Sequence, residues 1–126
     1  MSINFNKNSV FNLSPIQTSE VNKNVHGMLC SGEEIIIAFK TVRDQLIFTN
    51  KRIISVDIQG ITGKRISFSS LPYKTVQFFV IQTPGIEIVP DAEIELVFAN
   101  GTVATFEIKG KFDIMILNKL LSEKIL

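Results

Sequence analysis

The spacing of hydrophobic residues changes along the chain and predicts a helical start, a long β region and a helical end. Near the amino end, Val21, Val25 and Met28 recur at spacings of four and three residues, which is the periodicity of one helix face. Ser14-Pro15 precedes them as a cap and a first-turn proline. This pattern predicts a short helix that begins at Pro15 and ends near Cys30.

From Glu34 to Ile108, apolar and polar residues alternate with a period of two, interrupted by glycine, proline and asparagine. This alternation predicts an antiparallel meander. The predicted strands are residues 34–41, 45–49, 52–59, 64–69, 74–82, 92–98 and 103–108. Residues 111–125 return to helical spacing, and the apolar side of this predicted helix comprises Phe112, Ile116, Leu117, Leu120 and Leu121.

The fifth predicted strand is apolar on both faces. If Val76, Phe78 and Val80 fill the core, Phe79 and Ile81 lie on the opposite face, where large apolar side chains in a row need a cover. Two compatible covers remain: the amino-terminal helix, whose apolar side also needs a partner, and a second copy of the chain.

Length and residue counts exclude several functions. The 126 residues suit one globular domain. Cys30 is the only cysteine and His26 the only histidine, so no intramolecular disulfide and no zinc site of the Cys/His type can form. No base is placed for a serine or cysteine nucleophile. We therefore expect a protein that is not an enzyme, with no catalytic residues, metal or cofactor.

Nothing in the sequence directs the chain into or across a membrane. No run without a charged residue is longer than residues 75–86, which contain two glutamines, a proline and a glycine, and this length is short of the roughly 20 apolar residues of a membrane span. The amino end lacks the apolar core of a secretion signal. With the single cysteine, these features predict a cytoplasmic protein.

Several short motifs resemble those of one known family. They are Gly32-Glu33-Glu34-Ile35, Phe48-Thr49-Asn50-Lys51-Arg52 and Gln59-Gly60-Ile61-Thr62-Gly63-Lys64. With the order of seven strands and a terminal helix, this run resembles the bacterial pleckstrin-homology (PH) domain family over residues 20–126. Locally, we interpret Asn50 as a turn residue that supplies backbone freedom.

The resemblance implies the fold and the domain limits. It implies a mainly β, PH-like barrel of two near-orthogonal antiparallel sheets with seven strands, capped by a C-terminal helix and preceded by a short N-terminal helix. Residues 1–31 would form an amino-terminal segment and residues 32–126 the PH-like domain. The family also implies a tendency to assemble into rings, but no settled biochemical activity.

Charge is balanced overall but divided along the chain. The net charge is +1, which gives no general attraction to nucleic acid. Residues 40–74, however, carry +5, and residues 75–107 carry −5 with no basic residue. The acidic residues of the second stretch are Glu87, Asp91, Glu93, Glu95 and Glu107.

The basic stretch has two interpretations. Lys40, Arg43, Lys64 and Arg65 fall at one end of the predicted sheet and form a candidate anion-binding surface for lipid headgroups. Lys51, Arg52 and Lys74 fall at the other end, roughly 20 to 25 Å away along the strands. The short loop at 41–44 lacks the length and basic pattern of lipid-binding PH domains. Solvated strand ends are the competing interpretation.

Self-association is the leading functional hypothesis. Oppositely charged halves suit a head-to-tail contact, which closes into a ring where the geometry permits. We expect Phe79, Ile81, Glu93 and Glu95 to contribute to such contacts. The predicted protein is thus a homo-oligomer acting through protein contacts, with other proteins as further partners. The alternative is a membrane-surface module that binds anionic lipid. An enzyme that relies on carboxylates and lysines alone is the weakest class.

Overall fold

The computed structural model describes residues 9–83, 91–110 and 112–126. These residues form eight strands, two α-helices and two 3-10 turns. The mainly β class with a carboxyl-terminal helix is confirmed. The elements are β1 (Ser9–Ile16), a 3-10 turn (Thr18–Glu20), α1 (Lys23–Met28), β2 (Ile35–Lys40), β3 (Gln45–Thr49), β4 (Arg52–Gln59), β5 (Arg65–Pro72), a 3-10 turn (Tyr73–Thr75), β6 (Val76–Gln82), β7 (Ala92–Phe98), β8 (Val103–Ile108) and α2 (Ile114–Ile125).

The described residues fall into two compact units. Residues 15–72 belong to the first unit, while residues 9–14 and the described residues from 73 onward belong to the second. In the first unit, β2, β3, β4 and β5 pair antiparallel in chain order. In the second, the order is β1, β8, β7, β6. The boundary lies between Pro72 and Tyr73, two residues before the basic stretch ends at Lys74.

The amino-terminal segment covers one face of the first unit's sheet. Val21 and Val25 are buried in one cluster with Ala38, Ile47, Ile54 and Val56. These sheet residues share a face because they lie opposite one another or two positions apart in the register. The apolar side of the predicted amino-terminal helix therefore has its partner within this unit. Burial of each valine and isoleucine side chain of this cluster contributes about 1.5 to 3 kcal/mol.

The other face of this sheet is also apolar and buried. Phe39, Phe48 and Ile53 are fully buried, and the rings of Phe39 and Phe48 meet edge to face with centroids 6.1 Å apart. This geometry is favourable for aromatic pairs. Burial on both faces explains why β3 and β4 consist largely of consecutive apolar residues rather than a strict alternation.

The prediction of a helix beginning at Pro15 is wrong. Pro15 lies near the end of β1, a strand that the sequence analysis did not predict, and α1 begins only at Lys23. β1 pairs in parallel with β8, and its Leu13 is fully buried. The described chain thus has eight strands rather than seven, and its pairing is not entirely antiparallel. β8, which is distant in the sequence, provides hydrogen-bonding partners for the backbone of β1. The local helix signals therefore did not decide the conformation of this segment.

The predicted carboxyl-terminal helix is confirmed, but its buried residues differ in part from the predicted apolar side. Asp113 caps it by accepting a hydrogen bond from the Met115 backbone N–H at 3.1 Å. The buried residues are Ile114, Leu117, Leu120 and Leu121, whereas Ile116 is half exposed. The predicted first residue, Lys111, lies outside the described residues.

The prediction of which side chains of the fifth predicted strand point to the core is also wrong. Phe78 and Val80 are exposed, and Phe79 and Ile81 are partly buried opposite the buried Leu96 and Ile94. The register shifts between Val76 and Phe78. One extra residue in a strand reverses the faces of every residue after it. Val76 therefore points to the core as predicted, while the residues beyond it are reversed.

Candidate interaction surfaces

Two loops of the first unit carry the four residues of the predicted anion-binding surface. Lys40 ends β2, Arg43 lies in the β2–β3 loop, Lys64 lies in the β4–β5 loop, and Arg65 begins β5. All four residues are exposed. Because adjacent antiparallel strands place these loops at the same end of the sheet, the structure brings the four residues to one region. We call it the basic loop end.

The two loops of the basic loop end are joined by a side chain. Arg43 donates a hydrogen bond from Nη2 to the Gly60 carbonyl oxygen at 2.7 Å. Gly63 has a φ of 67°, and a Cβ at this position would lie 3.4 Å from Ile58 Cγ2 and 3.6 Å from Arg43 Nη2. The positive φ therefore favours glycine at this position, whereas the two distances would be ordinary van der Waals contacts for a Cβ.

A half-buried carboxyl group, that of Asp44, holds the β2–β3 loop on β4. Asp44 Oδ1 accepts a hydrogen bond from the Ile58 backbone N–H at 3.0 Å, and the Asp44 backbone donates to Thr41 Oγ1 at 3.0 Å. Burial raises the pKa of Asp44 above its ordinary value, and the nearby Asp57 carboxylate adds to the rise. These contacts fix the loop that presents Arg43.

Each loop also exposes an aliphatic side chain at its tip. Val42 and Ile61 are both fully exposed to solvent. An isolated exposed aliphatic residue needs no explanation, but two within adjacent loops that also carry four cations form a mixed apolar and basic surface. The cations are recognisable in the sequence, whereas the exposure of Val42 and Ile61 is not.

A second mixed surface lies on the second unit, on the face of β6, β7 and β8 away from the buried Ile94 and Leu96. The strand register arranges it in three rows: Phe78, Val97 and Val103; then Val80, Glu95 and Thr105; then Gln82, Glu93 and Glu107. We call this the outer face. Its rows lie about 7 Å apart along the strands, so the surface changes from apolar to acidic across a short distance.

The carboxylates of the outer face have no cationic partner among the described residues. Glu93 lies directly opposite Glu107 across the β7–β8 pair, and in the described part of the chain the one ion pair lies elsewhere, between Arg52 and Glu33. Like charges directly opposite each other destabilise a sheet. Glu87, from the same acidic stretch, lies outside the described residues. The outer face thus combines exposed apolar groups with unpaired negative charge.

The Arg52–Glu33 pair is a structural centre that sequence reasoning missed. Arg52 Nε donates to Glu33 Oε2 and Arg52 Nη2 donates to Glu33 Oε1, both at 3.0 Å. Thr49 Oγ1 donates to Glu33 Oε2 at 2.6 Å, and the Cys30 backbone N–H donates to Oε1 at 2.9 Å. Arg52 also bonds the Met28 carbonyl at 3.0 Å. The cluster therefore ties the end of α1 to the β3–β4 hairpin.

These contacts lower the pKa of Glu33 and so favour its ionised form. Burial alone would raise its pKa, but hydrogen bonds from Arg52, Thr49 and the Cys30 backbone outweigh burial and lower the pKa from 4.5 to about 2. Arg52 is consequently part of the fold, and the interpretation of this residue as a solvated strand-end charge is wrong. The sequence feature that could have indicated this cluster is the presence of a glutamate, Glu33, together with the Thr-Asn-Lys-Arg motif at residues 49–52.

Asn50 contributes contacts rather than backbone freedom. Its Oδ1 accepts from the Glu34 backbone N–H at 2.7 Å, and its Nδ2 donates to the Gly32 carbonyl at 2.9 Å. Asn12 is the non-glycine residue with positive φ in the described chain, so the predicted reason for asparagine at position 50 is wrong. Asn50 instead joins the start of β2 to the turn between β3 and β4.

The described residues contain no cluster of three or more metal-ligating side chains. No helix among them has the length and apolar character needed to cross a bilayer.

The fold, with its antiparallel meanders and terminal helix, is that of a PH-like domain. The chain belongs to the bacterial PH domain family, whose model matches residues 4–125. A similar solved structure is a DUF1696 family protein with a pleckstrin-homology domain from Shewanella loihica, with a TM-score of 0.79, 30% identity and coverage of 93% of this chain and 100% of that one. A pleckstrin-homology domain from Shewanella amazonensis has a TM-score of 0.64 and 32% identity, with coverage of 88% and 90% respectively.

Two Bacillus subtilis proteins are also similar in sequence. The uncharacterized protein YjqA is 46% identical over 74 residues, which are 59% of this chain and 59% of YjqA. The uncharacterized protein YozO is 41% identical over 63 residues, which are 50% of this chain and 54% of YozO. The match thus spans little more than half the length of these curated relatives.

Proposed function

We propose that this chain is a non-catalytic, cytoplasmic protein-interaction module that assembles with copies of itself, with a closed ring as one form of the assembly. The outer face carries this proposal. It presents the exposed Phe78 and Val80 beside three carboxylates that have no described cationic partner. Such a surface is costly in an isolated chain, and a partner that covers the apolar groups and neutralises the carboxylates removes that cost.

The charge distribution favours protein partners over nucleic acid. The net charge of +1 provides no general attraction to nucleic acid. The four cations of the basic loop end lie in the first unit, while the outer face in the second unit is acidic. Of the predicted contact residues, Glu93 and Glu95 lie on the outer face. Phe79 and Ile81 point the other way, so Phe78 and Val80 replace them in the proposed contact.

The oligomeric state in solution tests the proposal. We expect light scattering at micromolar concentration to give the mass of an oligomer at about 0.1 M salt and a lower mass at about 1 M, because the screening length falls from about 10 Å to about 3 Å. The variant Glu93→Lys, Glu95→Lys should assemble less. Its matched control is Glu34→Lys, Glu123→Lys, which changes net charge equally at exposed positions away from the outer face.

A monomer under all these conditions would overturn the proposal. Equal loss of assembly in the control variant would also count against it, because the effect would then come from net charge rather than from the outer face.

A second candidate function is attachment to an anionic membrane surface. The observation that favours it is the pair of exposed tips, Val42 and Ile61, within the basic loop end. Aliphatic groups flanked by cations suit the boundary between headgroups and acyl chains. A ring would strengthen this attachment by repeating a weak site.

Flotation with phosphatidylcholine vesicles, with and without phosphatidylglycerol, tests the membrane candidate. We expect binding only with the anionic lipid, and its loss in the variant Val42→Ser, Ile61→Ser and in the variant Lys64→Ser, Arg65→Ser. No flotation with either vesicle, or flotation that both variants retain, would contradict it.

A further inference from the structure

We infer that β5 binds an extended segment of another protein as an added strand, and that this segment is acidic at both ends and apolar on one side. β5 comes last in the order of the described strands and pairs with β4. In an antiparallel ladder, alternate residues point their backbone N–H and C=O groups away from the paired strand. On β5 these groups have no strand neighbour among the described residues, and such a row of groups is a template for a further strand.

β5 lacks the features that protect the edge of a sheet. All eight of its residues are in register with β4, and residues 66–71 contain no charge, no proline and no register shift. β6, the edge strand of the second unit, has a register shift, which interrupts the regular hydrogen bonding that an added strand requires. A long, regular and uncharged edge is prone to pairing with another chain. β5 is therefore the edge that suits strand addition.

One side of β5 favours apolar side chains in the added strand. Ile66 and Phe68 pack against the buried cluster that contains Val25 of α1, but both remain partly exposed. Arg52 holds the end of α1 near β5, because its guanidinium donates to the Met28 carbonyl at 3.0 Å and to Ser70 Oγ at 2.9 Å. Apolar side chains on an added strand would lie beside Ile66 and Phe68 and bury them further. Alternate side chains of this kind give strand addition its specificity.

The other side of β5 favours small polar side chains in the added strand. Ser67 and Ser69 lie on this side, opposite Asp57 and Ser55 of β4. Asp57 is half-buried, and its Oδ2 accepts a hydrogen bond from Gln59 Nε2 at 2.8 Å. A carboxylate in the middle of the added strand would approach Asp57, and like charges on neighbouring strands are unfavourable. We therefore expect the middle of the segment to be uncharged.

The two ends of β5 are basic. Lys64 and Arg65 lie where β5 begins, and Lys51 lies beside the position where it ends. All three are exposed, and the one ion pair within the described ranges joins Arg52 to Glu33. Eight residues of strand span about 24 Å, so acidic residues about eight positions apart would meet both ends of β5. Complementary charge at the rim of a contact selects the partner.

Binding of a synthetic peptide to the full chain tests this inference. The probe has two glutamates at each end and alternating valine and threonine between them. We expect calorimetry to detect binding at about 0.1 M salt, and a peptide with lysines in place of the glutamates not to bind. Hydrogen exchange followed by NMR should show that the peptide protects alternate amides of β5.

N-methylation of the peptide distinguishes strand addition from other contacts. Methyl groups on the peptide nitrogens that face β5 remove the donors of the added ladder, so they should abolish binding. Methyl groups on the intervening nitrogens, which face away, should leave binding intact. Equal effects of the two methylation patterns would contradict strand addition.

Substitutions at the ends of β5 test the part that charge plays. Lys64→Gln, Arg65→Gln should raise the dissociation constant of the peptide about fivefold, and Lys51→Gln about twofold, from the loss of exposed ion pairs. The matched control is Lys119→Gln, Lys124→Gln, which removes the same charge from exposed positions of α2 and should bind as the wild type does. Circular dichroism checks that every variant is folded.

Four results would overturn the inference. They are no binding at about 1 mM peptide, equal binding of the lysine-ended peptide, an equal loss in the α2 control, and binding without protection of the β5 amides. If the β5 amides of the chain alone become protected as its concentration rises, the occupant is a second copy and the inferred partner is wrong. The peptide measurements apply whether or not copies assemble through the outer face, so the two proposals can fail separately.

Discussion

The Glu33–Arg52 cluster and the outer face of β6, β7 and β8 both contain glutamates, but the surroundings of these carboxylates differ. In the cluster, the carboxylate is buried and accepts four hydrogen bonds, from Arg52, Thr49 and the Cys30 backbone. On the outer face, Glu93 lies opposite Glu107 with no described cation to balance them. The first arrangement holds the chain together, whereas the second leaves charge available to a partner.

The difference shows that charge in a sequence does not reveal its use. Arg52 and Lys51 are neighbours in the same basic stretch, but Arg52 is bound to Glu33 and Lys51 is exposed. What separates them is the position of a carboxylate 19 residues earlier in the chain. Only the charges without such a partner are candidates for interaction surfaces.

Removing the arginine of the cluster should produce the largest effect. Arg52→Ala leaves the Glu33 carboxylate buried without its bidentate partner, and breaking a buried pair in this way costs about 3 to 5 kcal/mol. We expect a loss of at least about 3 kcal/mol in the free energy of unfolding, measured with urea. Lys51→Ala, at the exposed neighbour, should change it by less than about 0.5 kcal/mol. Similar losses in both variants would contradict a special role for Arg52.

Acid should weaken the same cluster. The pKa of Glu33 is lowered from 4.5 to about 2, so the folded state binds the proton more weakly than the unfolded state. The stability from this group is present above pH 4.5 and is lost as the pH falls toward 2. Urea unfolding across this window should show a fall in stability that is smaller in Glu33→Gln. An equal fall in both proteins would assign the acid sensitivity to other carboxylates.

Neutralising one carboxylate on the outer face should have the smallest effect, with the opposite sign. Glu107→Gln removes the like charge opposite Glu93 and should raise the stability of the monomer by a few tenths of a kcal/mol. Thermal unfolding of dilute protein at low salt measures it. Glu123→Gln, at an exposed position of α2, is the control. A loss of stability in Glu107→Gln alone would show that Glu107 has a stabilising role in the monomer.

The strand pattern was the most predictable part of this fold. The bounds of β3, β4, β7 and β8 coincide with the predicted strands, because turn residues mark the ends of all four and alternation marks β7 and β8. The four cations of the basic loop end were also placed together correctly, since antiparallel strand order fixes which loops are neighbours. The exposed tips Val42 and Ile61 were missed because an apolar residue in a short loop gives no signal of its orientation.

Two errors came from contacts between residues distant in the sequence. β1 resembles a helix start because Ser14 and Pro15 are good capping residues, but pairing with β8 supplies its backbone with partners that a local pattern does not reveal. In β6, one register shift after Val76 reversed the predicted faces of Phe78 and Phe79. No local feature of this apolar strand marks the position of the shift.

The sequence by itself determined the mainly β class, the terminal helix and the division of charge, because alternation, helical spacing and composition are properties of the chain alone. The tertiary structure decided which charges are bound and which remain unpaired, and which side of β6 faces solvent. The physical reason is that burial and pairing depend on partners brought together by folding, and a register change of one residue moves a side chain from one face of a sheet to the other.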